Sequence, residues 1–338
     1  MDAQLTVIMS CYNQAKYIRQ AIDSVLMQKT DFPFRLFITD DCSTKDDSRA
    51  IIQEYAEKHP DRITALLNDT NGRYLANILR AKSQTKTEYL TLLDADDYWT
   101  DPGYLQRAVD FLRQHADYAI YFQNVRCCKE DGAEYLFLPE KFDKYDFTFE
   151  DYISGRILIP QTTGAVFRNV IYGKRIPPIV AAAVGTIHER SFEGDADRFL
   201  MHLAEGRAHY EPIIAGVYRI LSSGIWCRLP DSEKHLIQAQ CYLDYAAYFN
   251  RSKSFFARGA ARELKQALTS VVKELATGVA PSPAWSAYFA SVSAACAADC
   301  KINGLAESGV PASAKLKDRL CHKLYQRLRA RLTRKGLL

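Results

Sequence analysis

The chain has 338 residues, 48 % of them apolar and 25 % charged, with a formal net charge of +4. That is enough apolar sequence to bury a large core with a smaller appended unit. Nine scattered cysteines, odd in number and without a Cys-x-x-Cys pair, exclude a disulfide framework and read as reduced thiols. Cys296 and Cys300 fall one helical turn apart, yet no His or further Cys stands near to complete a zinc site. No apolar run approaches transmembrane length, and strand-like sequence from Leu5 leaves no room for a signal peptide, so a cytoplasmic location is expected.

In chain order, residues 5–11 read as a strand. A helix over 15–27 follows, with Ile18, Ala21, Ile22, Val25 and Leu26 on one face. A second strand over 34–39 runs into Asp40-Asp41-Cys42-Ser43. Next come a helix from about 46 to 58, a short strand over 63–67, a helix around 75–83 and a strand beginning at Tyr89. A helix over 102–114 and a strand over 119–125 complete the series. Strand and helix alternate with polar loops after the strands, which predicts an α/β fold on a mostly parallel, doubly wound sheet. No Gly-x-Gly-x-x-Gly follows the first strand, so a dinucleotide site loses its phosphate cradle.

The strand from Tyr89 ends in Asp94-Ala95-Asp96-Asp97. Leu90, Leu92 and Leu93 are too continuous for a half-exposed strand, so both faces are expected to be covered. Sheets of this kind bind ligands just beyond their strand ends. Asp94 and Asp96, two apart in extended chain, project to the same side and can meet one hard divalent cation, which in turn can hold a diphosphate. The competing reading is that Asp94 or Asp97 caps the helix that Asp101-Pro102 starts.

These segments resemble the inverting, nucleotide-sugar-dependent glycosyltransferases of family 2, which have the GT-A fold. The likeness is carried by Val7 to Asn13, by Tyr17-Ile18 and Ala21 to Gln28, by Asp40-Asp41-Cys42-Ser43-Thr44 with Asp46, and by Glu88 to Trp99. It continues through Pro160 to Arg168, Gly194-Asp195, Tyr218-Arg219 and Ser222 to Trp226, so that it covers roughly residues 4–228 in order. The resemblance implies Asp96 as direct ligand of Mg or Mn, with Asp94 supporting the donor ribose or the metal shell. It implies Ser10, Tyr12 and Asp41 around uracil or ribose, Tyr12 stacking on the base and Asp41 accepting from a nucleobase N–H. Tyr12 is otherwise a partly buried surface aromatic, and Asp40 or Asp41 a turn residue. Asp195 is the implied catalytic base, with Asp197 either an alternative base or the cap of a helix over 198–205. Arg73 and Arg219 are candidates for the diphosphate. Two departures stand out: Leu221 occupies the place where close relatives often carry a His, and the family's Ala-Arg-Asn pattern survives only as Leu75-Ala76-Asn77.

Residues 1–228 are accordingly expected to form the GT-A catalytic domain, with a nucleotide-sugar half over 1–125 and an acceptor half over 126–228. Beyond it, 231–277 reads as helical, 278–283 as a breaker, 285–298 as a further helix and 303–311 as a loop, so that 229–314 forms a helical appendage. Over 315–338 nine Lys and Arg residues stand against Asp318, a net +8 that leaves the remainder of the chain at −4. Leu316, Leu320, Leu324, Leu328 and Leu332 form an apolar stripe among these cations, the pattern of a helix lying on an anionic membrane surface through 315–335. A helix docked on the protein or a dimer contact gives the same pattern. Nucleic acid is a poorer partner, because base-stacking aromatics are missing from the basic stretch.

The expectation is a metal-dependent hexosyl- or N-acetylhexosaminyl-transferase. It would move sugar from a UDP-linked donor to a glycan or lipid-linked glycan in surface-polysaccharide assembly, from the inner face of the cell membrane. The alternatives are a sugar-nucleotide nucleotidyltransferase and a catalytically silent glycan-binding or scaffold protein of the same fold. No Gly-rich loop bearing Arg and Lys follows Cys11 to seize a triphosphate, which counts against the first.

Overall fold

The computed structural model describes residues 2–173, 176–249 and 252–303. The tail over 315–338, and nearly all of the loop expected over 303–311, lie outside the described residues. The alternation read from the sequence is realised as β1 (Leu5–Cys11), α1 (Ile18–Leu26), β2 (Phe34–Asp40), α2 (Ser48–Lys58), β3 (Ile63–Leu67), α3 (Arg73–Gln84) and β4 (Tyr89–Asp94). Then come β5 (Tyr98–Trp99), α4 (Tyr104–Gln114), β6 (Tyr118–Lys129), β7 (Glu134–Leu136), β8 (Asp146–Phe147), α5 (Phe149–Ser154) and β9 (Ala165–Arg168). The order closes with α6 (Pro178–Ala183), α7 (Asp195–Leu203), β10 (Arg207–Ile220), α8 (Asp231–Tyr248), α9 (Lys253–Ala276) and α10 (Pro283–Asn303).

The main sheet runs β3-β2-β1-β4-β9-β6-β10-β5. β1 pairs parallel with β2 on one side and β4 on the other, and its Leu5, Val7, Ile8 and Met9 are fully buried, as a strand covered on both faces requires. β9 enters antiparallel between β4 and β6, while β6 and β10 pair parallel, so the sheet is mostly parallel with an antiparallel insertion. The register sets Cys11 opposite Asp40 and Ser10 opposite Asp94, bringing the polar ends of three neighbouring strands to one edge.

Helix starts differ from the sequence expectation where a side chain is engaged elsewhere. Asp46 does not open α2. Its carboxylate accepts from the N–H groups of Ala15 at 2.9 Å and Ser48 at 3.0 Å, tying the approach to α1 onto the approach to α2, and α2 begins at Ser48. The same contacts, with Gln14 N–H donating to Ser48 Oγ at 2.7 Å, hold 14–17 in a turn, so α1 begins at Ile18 and not near residue 15. α7 begins at Asp195 after an extended Gly194, three residues earlier than expected, so Asp197 lies inside the first turn and is not its cap.

The described residues divide into two compact units, one drawn from the chain up to 184 with 192–227 and the other from 185–191 with the described residues from 228 on. Within the second, α8 ends at Tyr248 and α9 begins at Lys253, and Phe249, Phe256 and Tyr245 pack as an aromatic cluster. Asp244 gathers the short segment before α7: it receives Ser191 Oγ–H at 2.5 Å and lies 2.8 Å from His188 Nδ1.

Candidate active site

The end of β4 is an acidic turn. Ser10 Oγ donates to Asp94 Oδ1 at 2.5 Å, the Ala95 N–H donates to the Ser10 carbonyl at 3.0 Å, and the Asp97 N–H closes the turn on the Asp94 carbonyl at 3.0 Å. Burial pushes the Asp94 carboxyl up to about 6, helped by the charges of Asp96 and Asp195 and opposed by the Ser10 hydrogen bond. Asp96 is likewise raised by burial. Asp97 is 1 % exposed and has a different task. It accepts from the Arg219 N–H at 2.8 Å, Thr163 Oγ–H at 2.7 Å and Gln161 Nε2 at 3.4 Å, joining the acidic turn to β10 and to the approach to β9. Neither Asp94 nor Asp97 caps α4: the turn before that helix is made by Asp101, which accepts from the Gly103 N–H at 2.9 Å.

Arg219 is drawn to this turn. Its guanidinium donates to the Asp96 carbonyl and, at 2.5 Å, to Gln20 Oε1, and it lies over the rings of Tyr98 at 4.5 Å and Tyr17 at 4.9 Å. Tyr98 reaches it because β5 pairs with β10 at Gly216, where a Cβ would come within 2.8 Å of the Trp99 Cα.

On the β1–β2 side, Tyr12 follows the end of β1 and is 44 % exposed, and left-handed Asn13 turns the chain away after it (φ 53°). Asp41 is buried, and its Oδ1 accepts from the Gly72 N–H at 2.8 Å and Asn68 Nδ2 at 3.4 Å, so it anchors the loop that leads into α3. Arg73 opens α3 from a left-handed conformation (φ 67°), its side chain exposed.

Asp195 stands at the first position of α7 with its side chain 32 % exposed. Its Oδ1 accepts from the Thr162 hydroxyl and from Arg198 Nη2 at 3.2 Å, and the same Arg198 nitrogen donates to Thr162 Oγ1 at 2.9 Å. Asp197 is 2 % exposed, and its Oδ1 lacks a hydrogen-bond partner among the described residues. Burial pushes its carboxyl up to about 7, against the opposing charges of Arg198 and Lys82. Lys82 is buried on α3 with its ammonium 3.7 Å from the centre of the Tyr172 ring, and burial drives its pKa well below the ordinary lysine value.

Asp94, Asp96 and Ser10 thus meet at the ends of β1 and β4, Arg219 joins them, and Asp195 is near enough for its charge to act on Asp94. Tyr12, Asp41 and Arg73 lie at the ends of β1 and β2 and the start of α3. Arg198 was not anticipated, and Gln161, Thr162 and Thr163 were singled out only as part of the stretch Pro160 to Arg168, without individual roles. Arg198, three residues after Asp195 on one helix face, carries the one local signal that could have revealed its pairing.

A divalent cation suits the chemistry of the acidic turn, since hard oxygen donors are concentrated there and two of the carboxylates are raised by burial. Among the described residues no three His, Cys, Asp or Glu side chains gather as a metal cage. A cation here would rest on one or two carboxylates and take its other ligands from a diphosphate and water, as Mg does in phosphate sites. Among the described residues no helix is long and apolar enough to cross a membrane.

The sequence model of glycosyl transferase family 2 matches residues 6–175, the stretch that carries β1 to β9 and the acidic turn. An uncharacterised protein of Mycobacterium tuberculosis is 32 % identical over 222 residues, which make up 66 % of this chain and 60 % of that protein. The Staphylococcus aureus poly(ribitol-phosphate) beta-N-acetylglucosaminyltransferase TarS is 25 % identical over 171 residues, 50 % of this chain and 28 % of TarS. The chain therefore spans less than two thirds of the length of either relative. Residues 1–349 of S. aureus TarS, solved with UDP-GlcNAc, share the fold with a TM-score of 0.57 at 16 % identity, over 86 % of this chain and 79 % of that one. With half of the chain matched and a mostly parallel sheet ending in the expected acidic turn, the protein belongs to glycosyl transferase family 2.

Proposed function

We propose that the protein transfers a sugar, with inversion at the anomeric carbon, from a UDP-linked donor to a hydroxyl of a glycan or lipid-linked glycan. The observation that carries this reading is the pairing of two carboxylate groups with different surroundings. Asp94 and Asp96 lie in a partly buried acidic turn suited to a cation, and the half-exposed Asp195 is electrostatically coupled to that turn. The name of TarS, and its structure with UDP-GlcNAc, make UDP-N-acetylhexosamines the first donors to test.

In this reading Tyr12 stacks on the base, Ser10 and Asp41 hold the nucleoside, Asp96 would hold Mn or Mg, and Asp94 supports the donor ribose or the metal shell. A cation held there would supply Lewis-acid neutralisation of the diphosphate charge. Arg219 and Arg73 add positive charge beside the diphosphate. Asp195 takes the acceptor hydroxyl proton as the new C–O bond forms and the bond to the diphosphate breaks. Asp197 is the poorer base, being buried on the first turn of α7. The catalytic domain over 1–228, the appendage over 229–314 and a basic membrane-binding segment over 315–335 complete the proposal. Flotation of the full chain with anionic liposomes at low salt, lost on truncation after Ala314, tests that last element.

Incubation of the purified protein with radiolabelled UDP-sugars and Mn is expected to release UDP, with transfer once an acceptor glycan is supplied, and Asp96→Ala is expected to abolish both. Pyrophosphate release from UTP would identify a nucleotidyltransferase instead. Donor binding without release or transfer across the panel would mark a silent binding protein.

A further inference from the structure

The surroundings of Asp195 are asymmetric. Its Oδ1 receives two donors, the Thr162 hydroxyl and Arg198 Nη2, and these two are themselves joined at 2.9 Å. No hydrogen bond reaches its Oδ2 among the described residues. The three groups form a closed triangle with Arg198 at its buried corner, its side chain only 3 % exposed. A buried guanidinium is a rigid, permanently charged fork, better suited than a mobile lysine to fixing one carboxylate oxygen. Thr162 reaches the triangle from the 3-10 turn Thr162–Gly164, immediately before β9, while Asp195 and Arg198 both belong to the first turn of α7. Two separate elements therefore hold one carboxylate.

We propose that Arg198 and Thr162 are positioning residues that clamp Oδ1 of Asp195 and leave Oδ2 as the oxygen that takes the acceptor proton. This rests on Asp195 being the base. The acceptor O–H bond breaks toward Oδ2, the new bond to the anomeric carbon forms, and the proton remains on Asp195 until product leaves. Arg198 keeps its charge through this step, since a guanidinium is not deprotonated in proteins.

The test is a double-mutant cycle on the full chain, with kcat, acceptor KM and donor affinity read separately. Thr162→Val removes one donor at nearly constant volume. It is expected to lower kcat by roughly 10- to 100-fold, the scale of a small misplacement of a reacting group, with donor Kd and both KM values within about twofold. In an Asp195→Asn background the same change should alter the residual rate by less than about twofold, because the clamp has nothing left to position. Arg198→Lys should retain more activity than Arg198→Met. If the methionine variant fails to fold, the Thr162 cycle decides. Unchanged kcat in Thr162→Val overturns the clamp. So does an equal loss in the Asp195→Asn background, which would mean that Thr162 acts on the fold at large. Near-normal turnover in Asp195→Asn alone would instead remove the assignment of the base.

Discussion

The acids at the end of β4 and those at the start of α7 contrast in how the protein manages a buried carboxylate. In each group one member is almost wholly buried, Asp97 at 1 % and Asp197 at 2 % exposure. Asp97 is surrounded by hydrogen-bond donors, one from the backbone of β10 and two from the segment before β9. Asp197 has an oxygen with no partner among the described residues, and the charges of Arg198 and Lys82 oppose the effect of its burial. A carboxylate at a strand end meets strands and loops that cross it, which supply directed N–H and O–H groups. Asp197, in the first turn of α7, is faced instead by the cationic side chains of Arg198 and Lys82, with a lesser contribution from the Arg198 N–H. Asp97 is thus a structural tie, whereas burial favours the neutral form of Asp197 against the pull of Arg198 and Lys82. The more exposed members, Asp94, Asp96 and Asp195, are the ones left to act on a ligand.

The largest effect expected from this contrast is kinetic. Asp195→Asn should reduce turnover by roughly two to four orders of magnitude, the scale of a lost general base, with donor affinity preserved, while Asp197→Asn should stay within about tenfold of wild type. Steady-state assays with the working donor measure both, and the opposite ranking would move the base to Asp197. Next in size, Asp97→Ala should destabilise the fold by about 2–4 kcal/mol in urea unfolding, since it strands several buried donors at once. A loss below about 1 kcal/mol would show that the three contacts do not act as a tie. The smallest effect is one of pH. The folded Asp197 carboxyl, at about 7, lies above the ordinary aspartate value because of burial, so its protonated form favours folding. The stability it contributes is full below pH of about 4 and is lost as the pH rises through about 7. Asp197→Asn cannot ionise. Its urea midpoint should therefore improve relative to wild type between pH 5 and pH 8, by about 1–3 kcal/mol in equivalent free energy. A gap that stays constant with pH would mean that Lys82 and Arg198 already keep Asp197 ionised.

Much of the first unit was legible because it depends on short-range pattern. Continuous apolar runs such as Leu90 to Leu93 demanded a strand covered on both faces, and β4 is one. The residues after it had to be an acidic strand end, and the order of strands and helices followed from alternating segments. Less legible were places where a polar side chain serves a distant backbone. Asp46 read as the opening of α2, yet it is occupied by Ala15, 31 residues away, and the helix starts later. Asp197 read as either a helix cap or an alternative base, and the first is excluded because Gly194 is extended and α7 starts at once after it.

The sequence by itself determined the α/β class, the strand ends at which Ser10, Asp94 and Asp96 stand, and the family likeness of the motifs. Those features follow from backbone periodicity and residue type over a few neighbours. Only the tertiary structure decided which donors each carboxylate receives. Thr162 meets Asp195 across 33 positions, and the Arg219 N–H meets Asp97 across 122. Such pairings depend on β9 entering antiparallel beside β4 and on β10 returning beside β6. Hydrogen bonds act over about 3 Å, so a partner is chosen by the register of the whole sheet and not by the residues adjoining the carboxylate in the chain.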